Sequence, residues 1–121
     1  MDIPDTYPFV YGRVSNGDKW AADVPGLPRG ITVIVAANLL PGEESLEGAL
    51  GRATNSLAYA GFSVRGNPQT VSLPAGGAYR VETNNGVTAY AFYGRGRVFA
   101  VMLINLTREE EEAVARSLAF R

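Results

Sequence analysis

Arginines and aromatic side chains occur close together in the second half of the chain, and this combination could support chemistry. Arg95 and Arg97 lie in and beside a glycine-rich turn, and Tyr79, Tyr90 and Tyr93 precede them. Proteins that hold single-stranded nucleic acid stack bases on sheet aromatics and bind the backbone with basic side chains. One hypothesis is therefore single-stranded nucleic-acid binding through Arg95, Arg97 and the aromatic residues of the sheet.

The overall charge favours a different interpretation of these arginines. The chain has 11 Lys and Arg against 12 Asp and Glu, which gives a formal net charge of −1. A nucleic-acid footprint normally needs a basic face, and this balance does not supply one. We therefore prefer to interpret Arg95 and Arg97 as residues that solvate a turn, and we expect no nucleic-acid partner.

Catalytic and metal-binding chemistry have few suitable residues in this sequence. The chain has no histidine and no cysteine, which removes the commonest general base, the commonest metal ligand and all thiol chemistry. The carboxylates lack the spacing of a calcium loop, and neither a phosphate-loop nor a nucleophile-elbow motif occurs. Asp18 and Asp23 could act as an acid–base pair, but nothing in the sequence brings them together. The sequence therefore predicts a protein that is not an enzyme, with no catalytic residue, metal or cofactor.

The elements that must position these residues are arranged around one hairpin. Residues 87–93 and 98–106 read as two strands joined by Gly94-Arg95-Gly96, and glycine suits the positive φ of a bulged turn. Neither strand alternates apolar with polar residues, so both faces of the hairpin should be covered. The pattern places this hairpin in the middle of a sheet.

Further strands are predicted on either side of the hairpin. Residues 9–14 and 19–24 form a hairpin around Asn16-Gly17, with Trp20 as a core anchor, and residues 31–37 form an apolar strand beside the central hairpin. Extended segments follow at 62–65, 69–73 and 78–83. The last of these alternates polar with apolar residues, which predicts a strand near a sheet edge or on a wet face.

Two helices are predicted. Ser45 caps the first helix and Gly61 ends it in the left-handed conformation, while Gly48 and Gly51 permit close approach to the sheet. Thr107 starts the second helix with a capping box, and the glutamates at 109–112 read as its solvated first turns. The sequence therefore predicts an α+β fold: a mostly antiparallel sheet of about six strands with one helix on each face.

Several of these features together resemble the PsbP-like superfamily. They are Ser45-Leu46-Glu47, Gly61-Phe62, the turn and strand at 73–81, the hairpin at Gly94-Arg95-Gly96, and the closing residues 117–120. The superfamily includes extrinsic photosystem II subunits, small bacterial lipoproteins of the DcrB and LpqN type, and a Ran-binding import factor. The resemblance implies an α/β/α sandwich and a non-enzymatic accessory or protein-binding role, with no set of catalytic residues to carry over.

Residues 1–121 are expected to form a single domain, with residues 1–8 as a loosely ordered lead-in. No basic, apolar leader and no apolar run long enough to cross a bilayer occurs, so no membrane insertion is expected. We expect a cytoplasmic protein as the sequence stands, with a trimmed secretory or lipoprotein leader as the alternative. Two short helices should leave part of the sheet exposed, which predicts a homodimer whose interface includes Tyr79, Tyr90 and Tyr93. A foreign protein partner is the alternative.

Overall fold

A computed structural model describes residues 2–3, 9–13, 23–24, 27–28, 30–36, 39 and 41–120, and side chains are described for 39, 41–116 and 118. The helices are α1 (Leu46–Tyr59) and α2 (Arg108–Ser117). The strands are β1 (Asp2–Ile3), β2 (Phe9–Arg13), β3 (Asp23–Val24), β4 (Leu27–Pro28), β5 (Gly30–Ala36), β6 (Val64–Leu73), β7 (Gly76–Thr83), β8 (Val87–Gly94), β9 (Arg97–Ile104) and β10 (Ala119–Phe120).

The main sheet is built on β6, β7, β8 and β9, which follow one another along the chain as an antiparallel meander. Backbone pairing extends this sheet beyond β9, where β5 pairs antiparallel with β9 and β2 pairs antiparallel with β5. The α+β class, the antiparallel sheet and the position of β5 beside the central hairpin are confirmed. The predicted total of about six strands stays a prediction, since side-chain packing is described for four of them.

The first third of the chain differs from its prediction. The described end of the predicted strand 19–24 is β3, which pairs with β4 and not with β2. Asp2–Ile3, within the predicted lead-in, pairs in parallel with β10. The rest of that lead-in, the turn at Asn16-Gly17, and the residues Asp18 and Trp20 lie outside the described part of the chain.

The hairpin turn between β8 and β9 is one residue shorter than predicted. Gly94 pairs directly with Arg97, which leaves Arg95 and Gly96 as a two-residue loop. Both loop residues have positive φ, 51° and 75°. This is the backbone of a type I′ turn, whose twist matches that of the flanking strands. Arg95 therefore occupies a left-handed position that disfavours most side chains.

The ends of α1 follow the predicted signals. The Ser45 side chain accepts a hydrogen bond from the Gly48 amide at 3.0 Å. At the other end Gly61 has φ +84°, and the Phe62 amide donates to the Leu57 carbonyl at 2.9 Å. The Gly61 amide bonds Ala58 as well, so the helix stops in a Schellman motif. The capping box of Thr107 and Glu110 at the start of α2 is also confirmed.

The side of the sheet beneath α1 is lined by small residues, and we call it the alanine face. Ala49 and Ala53 of α1 are buried against Ala91 and Ala100 of the central hairpin. The C-terminal part of the helix adds a second buried cluster, made of Leu57, Val81, Val87, Ala89 and Met102. Small side chains let the helix axis approach the strands closely, so packing along this face depends on shape.

The opposite side of the sheet is lined by large side chains, and we call it the aromatic face. Phe92 and Phe99 pair across the central hairpin and stack, with ring centroids 5.0 Å apart. Val114 of α2 and Leu118, the residue that follows α2, are buried in the same cluster. Each helix thus covers one face of the central hairpin, which is buried on both sides as predicted. Neither helix is long and apolar enough to cross a membrane, within the described residues.

Candidate functional site

Several charged side chains of the described chain meet between β7 and α2. Arg80 of β7 is 8% exposed and Glu111 of α2 is 7% exposed. Arg80 Nε donates to Glu111 Oε2 at 3.0 Å, and Arg80 Nη2 donates to Glu111 Oε1 at 2.9 Å. This two-point contact is the strong form of an arginine–carboxylate pair. It joins the sheet to the second helix through a buried ion pair.

The pair belongs to a larger group of side chains, which we call the ion network. Tyr90 donates its hydroxyl to Glu111 Oε2 at 3.0 Å. Arg80 Nη1 also bonds Glu82, and Arg65 of β6 bonds the other oxygen of Glu82 at 2.6 Å. The network therefore runs from the exposed Arg65 on the outermost strand to the buried Tyr90 in the sheet interior.

The electrostatics of the network favour fixed protonation states. Hydrogen bonds from Arg65 and then from Arg80 lower the pKa of Glu82 from its usual 4.5 to about 2. Burial, reinforced by the charge of Glu111, raises the pKa of Tyr90 to about 12. The hydrogen bond to Glu111 raises the pKa of Arg80 above its usual value. A general acid or base should titrate near the working pH, and these three groups are shifted away from neutrality.

The structure confirms one reading of the strand 78–83 and corrects the prediction for the acidic run. The strand lies next to the edge strand β6, and on its polar side Arg80 is buried while Glu82 stays partly exposed. The acidic run at 109–112 is not uniformly solvated, because the Glu111 side chain is buried against the sheet. Glu111 lies three residues before Val114, a buried apolar residue of α2, and seven residues before Leu118, the buried residue that follows the helix. That helical spacing is the signal that could have identified Glu111 as inward-facing.

The three tyrosines predicted as an interface do not form one surface. Tyr90 is 4% exposed on the aromatic face, where α2 covers it and Glu111 accepts its hydrogen bond. Tyr79 and Tyr93 are half-buried on the alanine face, packed against the cluster around Ala49 and Ala53. Tyr90 is therefore excluded as an exposed contact residue. A contact through Tyr79 and Tyr93 stays a prediction.

The two arginines of the alternative nucleic-acid hypothesis also differ from each other. Arg95 is exposed at the tip of the hairpin. Arg97 is 6% exposed, and its guanidinium carbon lies 5.6 Å from the centroid of the Phe99 ring. A buried guanidinium over an aromatic ring stabilises the hairpin by a cation–π contact. This geometry gives Arg97 a structural role and leaves Arg95 as the exposed residue of the pair.

One edge of the sheet, the strand β6, carries mostly exposed side chains. β6 pairs with β7 on one side and ends the strand order on the other. Its side chains are exposed from Val64 to Thr70, and the register with β7 shifts between Arg65 and Gln69. Among the described residues the exposed large hydrophobic side chains are Tyr59, at the end of α1, and Val64, at the start of this strand. An edge strand offers unpaired backbone donors and acceptors to another chain.

Metal chemistry finds no support in the described side chains, among which no group of three or more acidic residues could hold an ion. Comparison of the chain with family models, with curated proteins and with solved structures gives no match.

Proposed function

We propose that this chain is a non-enzymatic accessory domain that acts through contact with another protein chain. The observation that carries the proposal is the edge strand β6, which is exposed over most of its length while the central hairpin is buried on both faces. Strand addition to such an edge is a common mode of protein recognition, in which backbone hydrogen bonds supply the attraction.

The ion network supports the same proposal by what its members already do. Glu111 accepts from Arg80 and Tyr90, and Glu82 accepts from Arg80 and Arg65. These side chains bind one another across the sheet–helix junction. The role that fits them is to hold α2 in place, so recognition falls to the remaining exposed surface.

The proposal extends to the architecture. We infer a complete sheet of about six strands, β2-β5-β9-β8-β7-β6, sandwiched between α1 and α2 as in the PsbP-like fold. The backbone pairings of β2 with β5 and of β5 with β9 support the added strands. The burial of the central hairpin under one helix on each face supports the sandwich.

Site-specific photo-crosslinking in the intact cell tests the proposed function. A photoreactive side chain at Thr70, which is exposed on β6, should form covalent adducts with protein. The same side chain at Asn55, which is exposed on α1, is the matched control and should form few. Equal yields at the two positions, or adducts to nucleic acid alone, would contradict recognition of protein at this edge.

A further inference from the structure

We propose that residues 69–73 of β6 pair with the same residues of a second copy of this chain, antiparallel and about a two-fold axis through Val71. This inference rests on the proposed function, and it identifies a second copy of the chain as the partner that binds the β6 edge. It concerns backbone pairing at the sheet edge, and therefore differs from a contact through the sheet tyrosines.

The two halves of β6 are protected to different degrees. In the first half Gly66 has φ +71°, Pro68 lacks an amide donor, and the register slips against β7. Bulges, prolines and charges are the devices by which natural edge strands resist pairing. Residues 69–73 have none of these, and they pair with β7 in unbroken register from Gln69 opposite Arg80 to Leu73 opposite Gly76. We call residues 69–73 the open half of β6.

The charge of this region favours a copy of the same chain as the occupant. No charged residue occurs in the sequence between Arg65 and Arg80. Two copies can therefore bring their open halves together without placing like charges opposite each other. An edge suited to a charged foreign strand would be expected to carry the complementary charge, as complementary interfaces do.

The order of residues in the open half is self-complementary about Val71. Antiparallel pairing about that residue places Thr70 opposite Ser72 of the second copy, and Gln69 opposite Leu73 of the second copy. Threonine–serine pairs across strands are favourable because their hydroxyls can hydrogen-bond, and the symmetry makes two such pairs. Both hydroxyl residues are exposed in the single chain and available for this pairing.

The packing around Val71 adds a reason for this axis. Val71 is half-buried and packs against the cluster of the aromatic face. Pairing it with Val71 of the second copy would continue that apolar surface from one molecule into the next. A closed two-fold contact also satisfies the open edge of both copies at once, which a head-to-tail contact does not.

Charge variants at the two hydroxyl positions test the proposal by light scattering on the full chain at high micromolar concentration. The unmodified chain should have the mass of a dimer. The double variant Thr70→Lys, Ser72→Lys should be monomeric, because each lysine faces a lysine of the second copy. The double variant Thr70→Glu, Ser72→Glu should be monomeric for the same reason. An equimolar mixture of the two should return to the dimeric mass, because each lysine then faces a glutamate.

Matched charges elsewhere provide the control. Asn55→Lys with Ala58→Lys adds the same charge to exposed positions of α1, and this variant should stay dimeric. Circular dichroism and thermal unfolding identify any variant that is monomeric because it has not folded. A monomeric unmodified chain, a dimeric lysine variant, or a mixture that stays monomeric would each overturn the proposal. If the chain is monomeric while Thr70 crosslinks a foreign protein, self-pairing fails and the proposed function stands.

Discussion

The two helices contact opposite sides of one sheet by different means. On the alanine face α1 approaches the strands through Ala49 and Ala53, which pack against other small residues. On the aromatic face α2 packs over stacked phenylalanine rings and adds the buried pair of Glu111 with Arg80. The first contact depends on fit alone, whereas the second depends on matched charges. Single substitutions should therefore destabilise the two faces for different reasons: added volume on the alanine face, and an unpaired charge on the aromatic face.

Removal of one charge from the aromatic face should give the largest effect. Glu111→Ala leaves the buried Arg80 without its two-point partner and removes the acceptor of the Tyr90 hydroxyl. Loss of one partner of a buried ion pair costs about 3–5 kcal/mol of unfolding free energy. Glu112→Ala is the control, since this neighbour makes an exposed pair with Arg108 at 3.3 Å and should change stability by less than about 0.5 kcal/mol. Urea unfolding measures the free energy of unfolding of both variants. Equal losses for Glu111→Ala and Glu112→Ala would contradict the assignment of Glu111 as the buried partner of Arg80.

Overfilling the alanine face should have the next largest effect. Ala53 is fully buried, and Ala53→Leu inserts three carbons between α1 and the central hairpin. Overpacking of this kind costs about 1–3 kcal/mol. Ala58→Leu makes the same change at an exposed position of the same helix, where the cost should be less than about 0.5 kcal/mol. Thermal unfolding that fails to separate the two variants would show that the alanine face is not closely packed.

The two glycines of α1 should respond in opposite directions. A Cβ at Gly48 would clash with the Glu43 carbonyl oxygen, so Gly48→Ala requires a backbone shift and should destabilise the protein. A Cβ at Gly51 meets nothing within 4 Å, so Gly51→Ala should stabilise by up to about 1 kcal/mol through helix propensity. This corrects the expectation that both glycines serve approach to the sheet. A gain in melting temperature for Gly48→Ala would refute the clash.

The exposed end of the ion network should show the smallest effect, as a loss of stability in acid. The pKa of Glu82 is lowered from 4.5 to about 2, so its contribution is complete above pH 4.5 and disappears as the pH falls toward about 2. Glu82→Gln should remove this acid-dependent loss of stability. The unfolding free energies of the variant and the parent should therefore converge as the pH falls from 4.5 toward about 2. The effect should be small and salt-sensitive, because the Glu82 side chain is 32% exposed. Urea midpoints measured across this pH range, with Glu109→Gln as control, should show it; parallel curves for Glu82→Gln and parent would contradict it.

The sequence predicts the alanine face better than the aromatic face, for a physical reason. The helical spacing of small and apolar residues in α1, its cap at Ser45 and its stop at Gly61 are local signals, and the structure contains all of them. Arg80 and Glu111 are 31 positions apart, and each lies in a locally polar pattern that is typical of solvent exposure. Their pairing depends on which helix covers which face, which no local pattern specifies.

The same limit applies to the residues that the sequence offered for binding. Tyr90 is expected at an interface because two short helices should leave part of the sheet exposed, yet α2 covers it and carries the acceptor for its hydroxyl. The burial of Arg97 follows from the two-residue turn, which places it directly opposite Gly94 and beside the Phe99 ring. That β6 is an edge strand follows from the order of strands in the sheet. The sequence of a single strand does not show this order.

If the ion network holds α2 on the sheet as a structural unit, substitutions of Arg80 and Glu111 should be strongly coupled, and a double-mutant cycle between them measures this coupling. Tyr90→Phe serves as the parent, so that no hydroxyl loses its acceptor during the cycle. Arg80→Met and Glu111→Met should each lose about 3–5 kcal/mol, because the first leaves the buried Glu111 without its cation and the second removes the two-point partner of the buried Arg80, which keeps Glu82 alone. The double variant should recover most of that loss, since well-packed apolar side chains can replace a buried ion pair. A double variant that loses the sum of the two single losses would contradict this role of the ion network.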